Sequence, residues 1–460
     1  MSAQVLTVAQ MQAAEQALID GGETIDSLML TAGRGAADWV WRVAAGRPVT
    51  VLCGPGNNGG DGYVIAETLR ARGLAVVVVA PVEPKTDAAS NARAAYRGEY
   101  AEAGHGGVFV DCLFGSGLAR PLGEALAGLV RSLAESHRYS VAVDLPSGVE
   151  SDSGALLDKG LPQYDLTVAL GAWKFAHWTM PAMARMGERR LVPIGVGETD
   201  GPARLLERPR LCPPARDAHK YSRGMVLVVG GPMEGAELLA SEAAMRSGAG
   251  TVRLAAQWLH PAAPPDLVLK PQPLAELLDD ERTGAVLVGP GLGRDDDARG
   301  KLGTVLAAGR PAVVDADALH LLGPGDLAGY AAPLILTPHE GEMRRLCESF
   351  GIALDDRLER TRALAKAAHA VVVAKGPDTI LADPGGRLVL APSPSSWLSV
   401  AGTGDVLAGI VAGRLAVHGD AFRAASEGVW IHGEAARLTP VPFTASELAL
   451  RVAEAYAACL

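Results

Sequence analysis

Residues 401–405 read AGTGD and precede VLAGIVAGRLAV, an apolar run that is rich in small residues. Glycines at a helix start leave free backbone N–H groups that can bind phosphate oxygens. Asp405 stands at the rim of this anion hole, where a carboxylate can take the proton from a hydroxyl that is being phosphorylated. The motif predicts phosphoryl-transfer chemistry, although the same turn could serve only to cap a buried helix.

Further polar turns in the second half also follow predicted strands. Lys375 begins KGPDT after AVVVA, Gly289-Pro290-Gly291 follows AVLV, and residues 337–342 read TPHEGE after LIL. A lysine that leaves a strand can reach a phosphate as a point charge. Taken singly, Lys375 could be a solvated surface lysine, and His339 of TPHEGE could be structural. No GxxxxGK[ST] sequence is present, which excludes a P-loop NTPase.

Three polar turns in the first half occupy the same kind of position. Residues 54–62 read GPGNNGGDG and follow VTVLC, Asp111 leads into CLFGSGLARP, and Asp144 leads into LPSG. A glycine-rich turn at a helix start can bind phosphate, but the spacing is not the GxGxxG fingerprint. Asp144 or Ser147 alone would more often be a helix cap. Because the carboxyl ends of parallel strands form a common crevice, we expect the turns to converge on one site.

Short β-branched runs alternate with helical patterns in both halves, as in VTVLC, AVVVVA and SVAVDL in the first and MVLVVGG, AVLVG and LILTPH in the second. This alternation predicts parallel strands joined by crossover helices and therefore an α/β fold. Between residues 198 and 218 the pattern is lost and proline and charge accumulate, which is typical of a connector. We predict domains over residues 1–200 and 219–460, with a linker over residues 201–218.

The 460-residue chain carries a formal net charge of −10. An acidic chain has no general attraction for nucleic acid or anionic lipid, so we expect no nucleic-acid partner and no membrane partner. The first twenty residues lack Lys and Arg, and they are predicted to form an amphipathic helix, not a targeting peptide. The five scattered cysteines fit a reducing cytoplasm and predict no zinc site.

The motifs GPGNNGGDG, VDCLFGSGLARP and VDLPSG resemble the NAD(P)H-hydrate epimerase domain over roughly residues 5–200. The resemblance implies a Rossmann-like three-layer sandwich that interconverts the R and S hydrates of NADH and NADPH at C6 of the nicotinamide. Asp144 would act there as the acid or base, or only orient the substrate. Potassium would be held by Asn58, Asp111 and Ser147, whose oxygens suit a hard cation. The residues implied to bind the hydrated nucleotide are Asn57, Asn58, Gly59, Gly60, Asp61, Gly115, Ser116, Gly117, Leu118, Ala119, Arg120, Pro121 and Asp144.

The motifs HKYSRGMVLVVGG, VGPGLG, TPHEGE, KGPDT and GTGD resemble the ADP- or ATP-dependent NAD(P)H-hydrate dehydratase family over roughly residues 210–458. The resemblance implies a ribokinase-like three-layer α/β/α fold. It also implies phosphorylation of the C6 hydroxyl of the S hydrate, with Asp405 as the base and Mg²⁺ neutralising the phosphoryl group, and then loss of phosphate. The residues implied to bind the adenine nucleotide are Lys375, Gly376, Pro377, Asp378, Thr379 and Gly404, and those implied to bind the hydrated dinucleotide are Ala236, Gly291, His339 and Asp405.

The sequence departs from these families at Trp397, which adds bulk before GTGD, at Glu237, where a smaller residue is expected, and at Glu150, where Asp commonly follows PSGV. The expected small-molecule partners are the hydrates NADHX and NADPHX, with ADP or ATP as co-substrate and K⁺ and Mg²⁺ as cofactors. We expect a cytoplasmic homo-oligomer. The alternatives are a ribokinase-like vitamin or sugar kinase with an N-terminal nucleotide-binding module, and an N-terminal domain that is a non-catalytic interaction module.

Overall fold

A computed structural model describes residues 3–199, 203–258, 260–392 and 394–460. The chain divides into two compact units, Met1–Arg204 and Leu205–Leu460. Of the predicted linker, residues 201 and 202 lie outside the described residues, and the short strand Ala203–Leu205 follows where the sequence indicated only a connector. Both units alternate strands and helices, which confirms the predicted α/β class. Among the described residues, no helix has the length and hydropathy needed to cross a bilayer.

The first unit is built around a parallel sheet. The elements up to residue 205 are β1 (Gln4–Leu6), α1 (Val8–Asp20), α2 (Ile25–Ala44), β2 (Val49–Cys53), α3 (Asn57–Ala71), β3 (Val76–Val79), α4 (Asp87–Ala95), β4 (Glu99–Tyr100), β5 (Gly106–Cys112), α5 (Glu124–Ser136), β6 (His137–Val143), β7 (Leu166–Leu170), β8 (Trp173–Lys174), β9 (Glu188–Val192) and β10 (Ala203–Leu205), with 3-10 helices at Phe175–His177 and Ala182–Arg185. The strands β2 and β7 are buried along their whole length, as expected for a sheet covered on both faces.

The strand order β4-β3-β2-β5-β6-β7-β9 contains a reversal between β2 and β5. From β2 the chain moves outward to β3 and β4, and it then returns to place β5 on the other side of β2. Such a reversal opens a crevice at the carboxyl ends of the two strands. The turns that follow them are in direct contact there, since the Gly54 amide donates a hydrogen bond to the Cys112 carbonyl at 3.1 Å.

Two predictions for the first unit were wrong in detail. The described residues up to Asp20 form the strand β1 and then the helix α1, not one helix. Most of the segment 54–62 belongs to α3, which begins at Asn57 and not after the glycines. The glycines permit close packing of this helix, because a Cβ at Gly59 would overlap the Gly54 backbone and one at Gly62 would overlap Cys53 and Cys112.

Gly59→Ala should therefore destabilise the first unit. The added methyl group has backbone as its neighbour, which cannot rotate away, so we expect the free energy of unfolding to fall by about 3 kcal/mol. Gly56→Ala is the matched control, because a Cβ at Gly56 meets nothing within 4 Å, and its loss should stay below about 1 kcal/mol. Urea unfolding followed by circular dichroism measures both. Equal midpoints for the two variants would contradict the packing argument.

The second unit also contains a mainly parallel sheet. Its elements are β11 (Met225–Val229), α6 (Glu234–Arg246), β12 (Thr251–Ala255), β13 (Val268–Lys270), α7 (Leu274–Leu278), β14 (Thr283–Val288), α8 (Asp296–Ala307), β15 (Ala312–Val314), α9 (Ala316–Leu321), β16 (Leu334–Leu336), α10 (Glu340–Ser349), α11 (Arg357–Ala368), β17 (Val371–Ala374), β18 (Asp378–Ala382), β19 (Leu388–Pro392), α12 (Thr403–His418), α13 (Ala421–Leu438) and α14 (Ala445–Ala457), with 3-10 helices at Pro324–Leu327 and Ser396–Leu398.

Within this unit the strands run in the order β13-β12-β11-β14-β15-β16-β17-β18-β19. The pairs from β13 to β17 are parallel, whereas β18 and β19 are antiparallel. The reversal in order lies between β11 and β14, and it again opens a crevice at strand ends. The turns after these strands touch, since the Met233 amide donates to the Gly291 carbonyl at 3.1 Å. The segment KGPDT follows the parallel strand β17, as predicted, and it also forms the hairpin turn into the antiparallel strand β18.

Candidate active sites

The first candidate site is a cleft of about 510 Å³ at the carboxyl ends of β2, β5 and β6. Five of the residues implied by the resemblance do not line this cleft. Gly59 and Gly60 are buried inside α3, whereas Ala119, Arg120 and Pro121 are exposed to solvent. Glu15 and Lys174, which the sequence analysis did not single out, also line the cleft. The predicted residues that line it are Asn57, Asn58, Asp61, Gly115, Ser116, Gly117, Leu118 and Asp144.

Asp144 is held in this cleft by contacts to both carboxylate oxygens. The Lys174 ammonium donates to Oδ1 at 2.6 Å, and the Ser116 amide donates to Oδ2 at 3.0 Å. Lys174 is buried and also donates to the Leu170 carbonyl at 2.6 Å. The backbone of Asp144 is left-handed, with φ of 63°, a conformation that costs a non-glycine residue free energy and often occurs at functional sites. The carboxylate is therefore fixed in position and charge.

His177 stabilises the ion pair between Asp144 and Lys174 through hydrogen bonds to the backbone of both residues. Its Nδ1 accepts the backbone N–H of Lys174 at 2.9 Å, so Nε2 carries the proton and donates to the carbonyl of Asp144 at 2.7 Å. Burial and the Lys174 charge lower the pKa of His177 to about 4, so the ring is neutral at neutral pH. A neutral ring with this tautomer joins the two segments that carry the ion pair.

The titratable groups of the cleft differ in their protonation. Burial opposes charge on Asp144, but the adjacent Lys174 ammonium outweighs it and lowers the pKa of this carboxyl. Burial, the Asp144 charge and the Glu15 charge raise the pKa of Asp61 well above its ordinary value. Burial also raises the pKa of Glu15. The cleft thus combines a carboxyl group whose pKa is lowered, Asp144, with two whose pKa values are raised, Asp61 and Glu15.

Asp111 and Ser147 are fully buried and do not line this cleft, but they are bonded to each other next to the turn after β5. The Ser147 hydroxyl donates to Asp111 Oδ1 at 2.7 Å, and the Ser147 amide and the Tyr164 hydroxyl donate to Oδ2 at 3.0 and 2.5 Å. Asn58 differs from them, because both polar atoms of its buried amide lack a hydrogen-bond partner among the described residues. Buried amides normally have partners, so this side chain is suited to bind a ligand or an ion. Its carbonyl oxygen fits a hard cation.

The second candidate site lies at the start of α12. This helix begins at Thr403 after Gly402, which has φ of 91°, and no side chain caps its free N–H groups. Lys375 reaches this turn, since a Cβ at Gly404 would lie 3.4 Å from its ammonium nitrogen. A helix N-terminus with an adjacent ammonium group is a strong anion site. The structure therefore brings Lys375, Gly404 and Asp405 together. The order of the motifs along the chain alone could not show this proximity.

Lys375 is surrounded by carboxylates. Its ammonium lies 2.6 Å from Asp315 Oδ1 and 3.9 Å from Glu342 Oε2. Burial opposes charge on Lys375, yet these carboxylates raise its pKa. Burial and the charge of Asp315 raise the pKa of Asp405 to about 7, and burial raises that of Glu342 to about 7 as well. Asp405 can therefore exchange a proton near neutral pH, which a general base requires.

His339 is the residue that caps the start of α10. Its Nδ1 accepts the amides of Gly341 and Glu342 at 2.9 and 3.2 Å, and the Glu342 carboxylate accepts the His339 amide at 2.7 Å. The ring thus caps α10 in a reciprocal capping box. More than half of the His339 side chain remains exposed, so its other face is accessible from solvent.

The remaining predicted residues occupy two other places. Gly291 is in the turn after β14 with φ of 67°, and a Cβ there would overlap the Met233 carbonyl. Ala236 lies half-buried in the first turn of α6, next to Glu237, which accepts the Gly231 amide at 2.8 Å. Glu237 therefore stabilises the turn after β11, which explains a residue larger than expected there.

The hairpin turn 375–379 directs two predicted side chains away from solvent. Asp378 is buried and forms an ion pair with Arg357, whose guanidinium also donates to the carbonyls of Ala374 and Lys375 at 3.0 and 2.9 Å. The Thr379 hydroxyl bonds to the backbone of Gly376. Since Thr379 uses both the N–H and the carbonyl of Gly376, the groups that remain for a ligand here are the Lys375 side chain and the Pro377 carbonyl.

Sequence reasoning missed Lys174, His177 and Asp315. Asp315 follows the strand AVV and carries the same signal as Asp111 and Asp144, a carboxylate at a strand end. Lys174 comes shortly after β7, in a turn that the sequence analysis did not single out. His177 had no sequence signal, because its role depends on the backbone of a residue 33 positions away.

Two family models match this chain, one described as "YjeF-related protein N-terminus" over residues 25–176 and one as "NAD(P)H-hydrate dehydratase" over residues 226–457. A protein from Gloeobacter violaceus named bifunctional NAD(P)H-hydrate repair enzyme Nnr is 37% identical, and the alignment covers 96% of each chain. The chain belongs to the family of bifunctional NAD(P)H-hydrate repair enzymes. This membership confirms the resemblance found in the sequence.

Other members of the family are similar over nearly the same length. The enzyme of this name from Coxiella burnetii is 34% identical, with 93% of each chain covered. Among solved structures, the ADP/ATP-dependent NAD(P)H-hydrate dehydratase from Bacillus subtilis, co-crystallised with ATP and Mg²⁺, is 28% identical with a TM-score of 0.46. That match covers 55% of this chain and 95% of the other.

Proposed function

We propose that the first site interconverts the R and S hydrates of NADH and NADPH. The second site would then convert the S hydrate back to NADH or NADPH at the expense of ADP or ATP. The observation that carries this proposal is family membership over almost the whole chain, covering both units. Each unit has a crevice at a reversal of strand order, which is where α/β folds bind nucleotides. The isomerase and lyase activities would thus belong to separate sites.

In the first site, we assign Asp144 to the reacting carbon. Its fixed carboxylate can exchange a proton with a hydroxyl or water at C6, and its position is set by Lys174 and Ser116. The start of α3 at Asn57 and the loop 115–121 would bind the phosphates and ribose through backbone N–H groups. Arg120 and its exposed neighbours would approach the ligand from the rim. Gly59 and Gly60 would act by allowing the helix to pack, without touching the ligand.

Potassium would be held by Asn58, Asp111 and Ser147. The unpartnered Asn58 amide supplies a free carbonyl oxygen, and the other two residues supply oxygens already fixed by hydrogen bonds. A bound monovalent cation would offset the negative charge that the carboxylates and phosphates bring to this cleft. This set contains only oxygen donors, which is what a hard cation requires.

Removal of potassium should slow epimerisation without slowing dehydration. Replacing KCl by choline chloride at constant ionic strength should lower the epimerase rate at least about tenfold, as expected when a charge that supports the site is removed. Asn58→Leu should show a low rate in both salts. Chiral chromatography of the two hydrates measures the rate. A rate that is the same in KCl and choline chloride for the unaltered chain would contradict the assignment.

In the second site, Asp405 would take the proton from the C6 hydroxyl as the phosphoryl group arrives. Lys375, the free amides at Gly404 and the turn 376–379 would bind the adenine nucleotide. Ala236, Gly291 and His339 would contact the hydrated dinucleotide. Magnesium usually binds through one or two carboxylates plus phosphate oxygens, and Asp315 and Glu342 fit that role. It would neutralise charge on the phosphates.

A ribokinase-like vitamin or sugar kinase is less well supported, because it leaves the first unit and its family match without a role. Incubation of mixed NADHX epimers with ADP or ATP separates the two functions. Recovery of NADH absorbance supports repair, whereas a stable phosphorylated vitamin or sugar would contradict it. We retain the cytoplasmic location and the homo-oligomer as parts of the proposal. Size-exclusion chromatography with light scattering tests the second.

A further inference from the structure

Asp61 is a buried carboxyl group in the first cleft for which the assignment above provides no chemical role. Its side chain lines the cleft, only 7% of the residue is exposed, and no hydrogen bond is donated to it within the described part of the chain. Asp144, in the same cleft, accepts hydrogen bonds on both carboxylate oxygens. A carboxyl group without donors is poorly suited to hold phosphate or a fixed charge, but it can donate a proton.

The environments of the two carboxyl groups differ in the way that separates an acid from a base. Burial raises the pKa of Asp61, and the Asp144 and Glu15 charges raise it further, while Lys174 opposes this effect. For Asp144, burial is outweighed by Lys174, which lowers the pKa. The charged groups that face Asp61 are therefore Glu15 from α1, Lys174 from β8 and Asp144. Paired carboxyls with opposite protonation are a common basis for acid–base catalysis.

The topology places the two groups on either side of the turn that follows β5. Asp61 belongs to α3, which follows β2, whereas Asp144 follows β6, and β5 lies between these strands. The turn after β5 carries Gly115, where a Cβ would lie 3.0 Å from Asp144 Oδ2 and 3.3 Å from Asn58 Cγ. A ring held over this turn would be flanked by α3 on one side and by Asp144 on the other.

We propose that Asp61 is a second catalytic residue of the epimerase, acting across the ring from Asp144; this inference rests on the proposed function. Neutral Asp61 gives its proton to the C6 hydroxyl as the C6–O bond breaks, and water leaves. The ring nitrogen's electron pair forms a double bond to C6, giving a planar cation. Water then adds to the opposite face of C6 and loses a proton to the Asp144 carboxylate. In the other direction the two residues exchange roles, and both re-equilibrate with solvent through the open cleft.

The first test is oxygen exchange. Epimerisation in H₂¹⁸O should place one ¹⁸O at C6 for each inversion, above the rate in buffer, as mass spectrometry can measure. Inversion with retention of the original oxygen would overturn the proposal, since it would mean that the C6–O bond never breaks. A wild-type inversion rate equal to that in buffer would instead remove the proposed epimerase function itself.

The second test uses Asp61→Asn, with Asp165→Asn as the control because Asp165 lies at the amino end of β7, away from the carboxyl ends of the strands where the cleft is. Asp61→Asn should lower kcat about 10²- to 10⁴-fold, the usual contribution of a general acid. It should also remove the fall in kcat/KM at high pH, which a structural role would not change. Asp61→Glu should recover part of the rate, which guards against misfolding. An Asp61→Asn rate within threefold of wild type, or an unchanged alkaline limb, would overturn the proposal.

Discussion

Asp405→Asn is expected to abolish formation of NADH from the S hydrate while leaving epimerisation unchanged. The carboxylate is the proposed base for the C6 hydroxyl, and removing such a group typically lowers the rate about 10²- to 10⁴-fold. The measurement is the recovery of NADH absorbance with ADP or ATP. Asp266→Asn is the control, because that side chain is exposed in the same unit. If Asp405→Asn kept more than about a tenth of the wild-type rate, the carboxylate would not be the base.

The pH dependence of the same reaction gives a second readout. Burial and the Asp315 charge raise the pKa of Asp405 to about 7, so its basic form is depleted below that pH and complete above it. For the free enzyme, kcat/KM should therefore rise about tenfold per pH unit up to about pH 7 and then level off. Asp405→Asn should remove this rise from whatever rate remains.

Asp144→Ala is expected to reduce interconversion of the R and S hydrates to the rate in buffer, without affecting dehydration of the S hydrate. The substitution removes the carboxylate that Lys174 and Ser116 hold in the first cleft. With a mixture of epimers and excess nucleotide, the wild type should recover all the NADH in one phase. The variant should stop after the S fraction and then continue only as slowly as spontaneous epimerisation supplies more.

Lys174→Met gives the companion result. Without the ammonium, burial dominates at Asp144 and its pKa rises, so epimerase activity should be lost at low pH and partly recovered as the pH increases. The direction of this change in the pKa of Asp144 follows from the loss of its ion pair with Lys174, in which Nζ lies 2.6 Å from Oδ1. If wild type and Asp144→Ala both interconverted the hydrates only at the buffer rate, the first unit would be a non-catalytic module.

The positions of the strands, and hence the edge at which ligands bind, were predictable from local sequence. VTVLC and MVLVV are short β-branched runs, and each forms a buried strand where it was expected. Asp111, Asp144 and Asp405 were found because a carboxylate next to a glycine-containing turn is a local pattern. The family motifs then supplied the chemistry that residue spacing alone left open.

The contacts between those residues were not predictable, because they depend on which strands are neighbours. Lys174 pairs with Asp144 only because the segment after β7 folds back beside β6. The sequence also could not show that Nδ1 of His339 accepts amides of its own helix, which leaves only the rest of the exposed ring for the predicted ligand contact. The strand β19 was missed because a hairpin was not expected within a parallel pattern.

The close contact between Gly54, Gly59 and the turn after β5 has a consequence for ligand affinity. Loops packed backbone to backbone lose their conformational entropy when the chain folds. The free energy of substrate binding therefore does not include the cost of ordering them. The usual route to greater thermostability, replacement of helical glycine by alanine, is closed at Gly59 for the same reason. Engineering of the first unit for heat resistance should therefore begin on its exposed helix faces, leaving the framework of the cleft as it is.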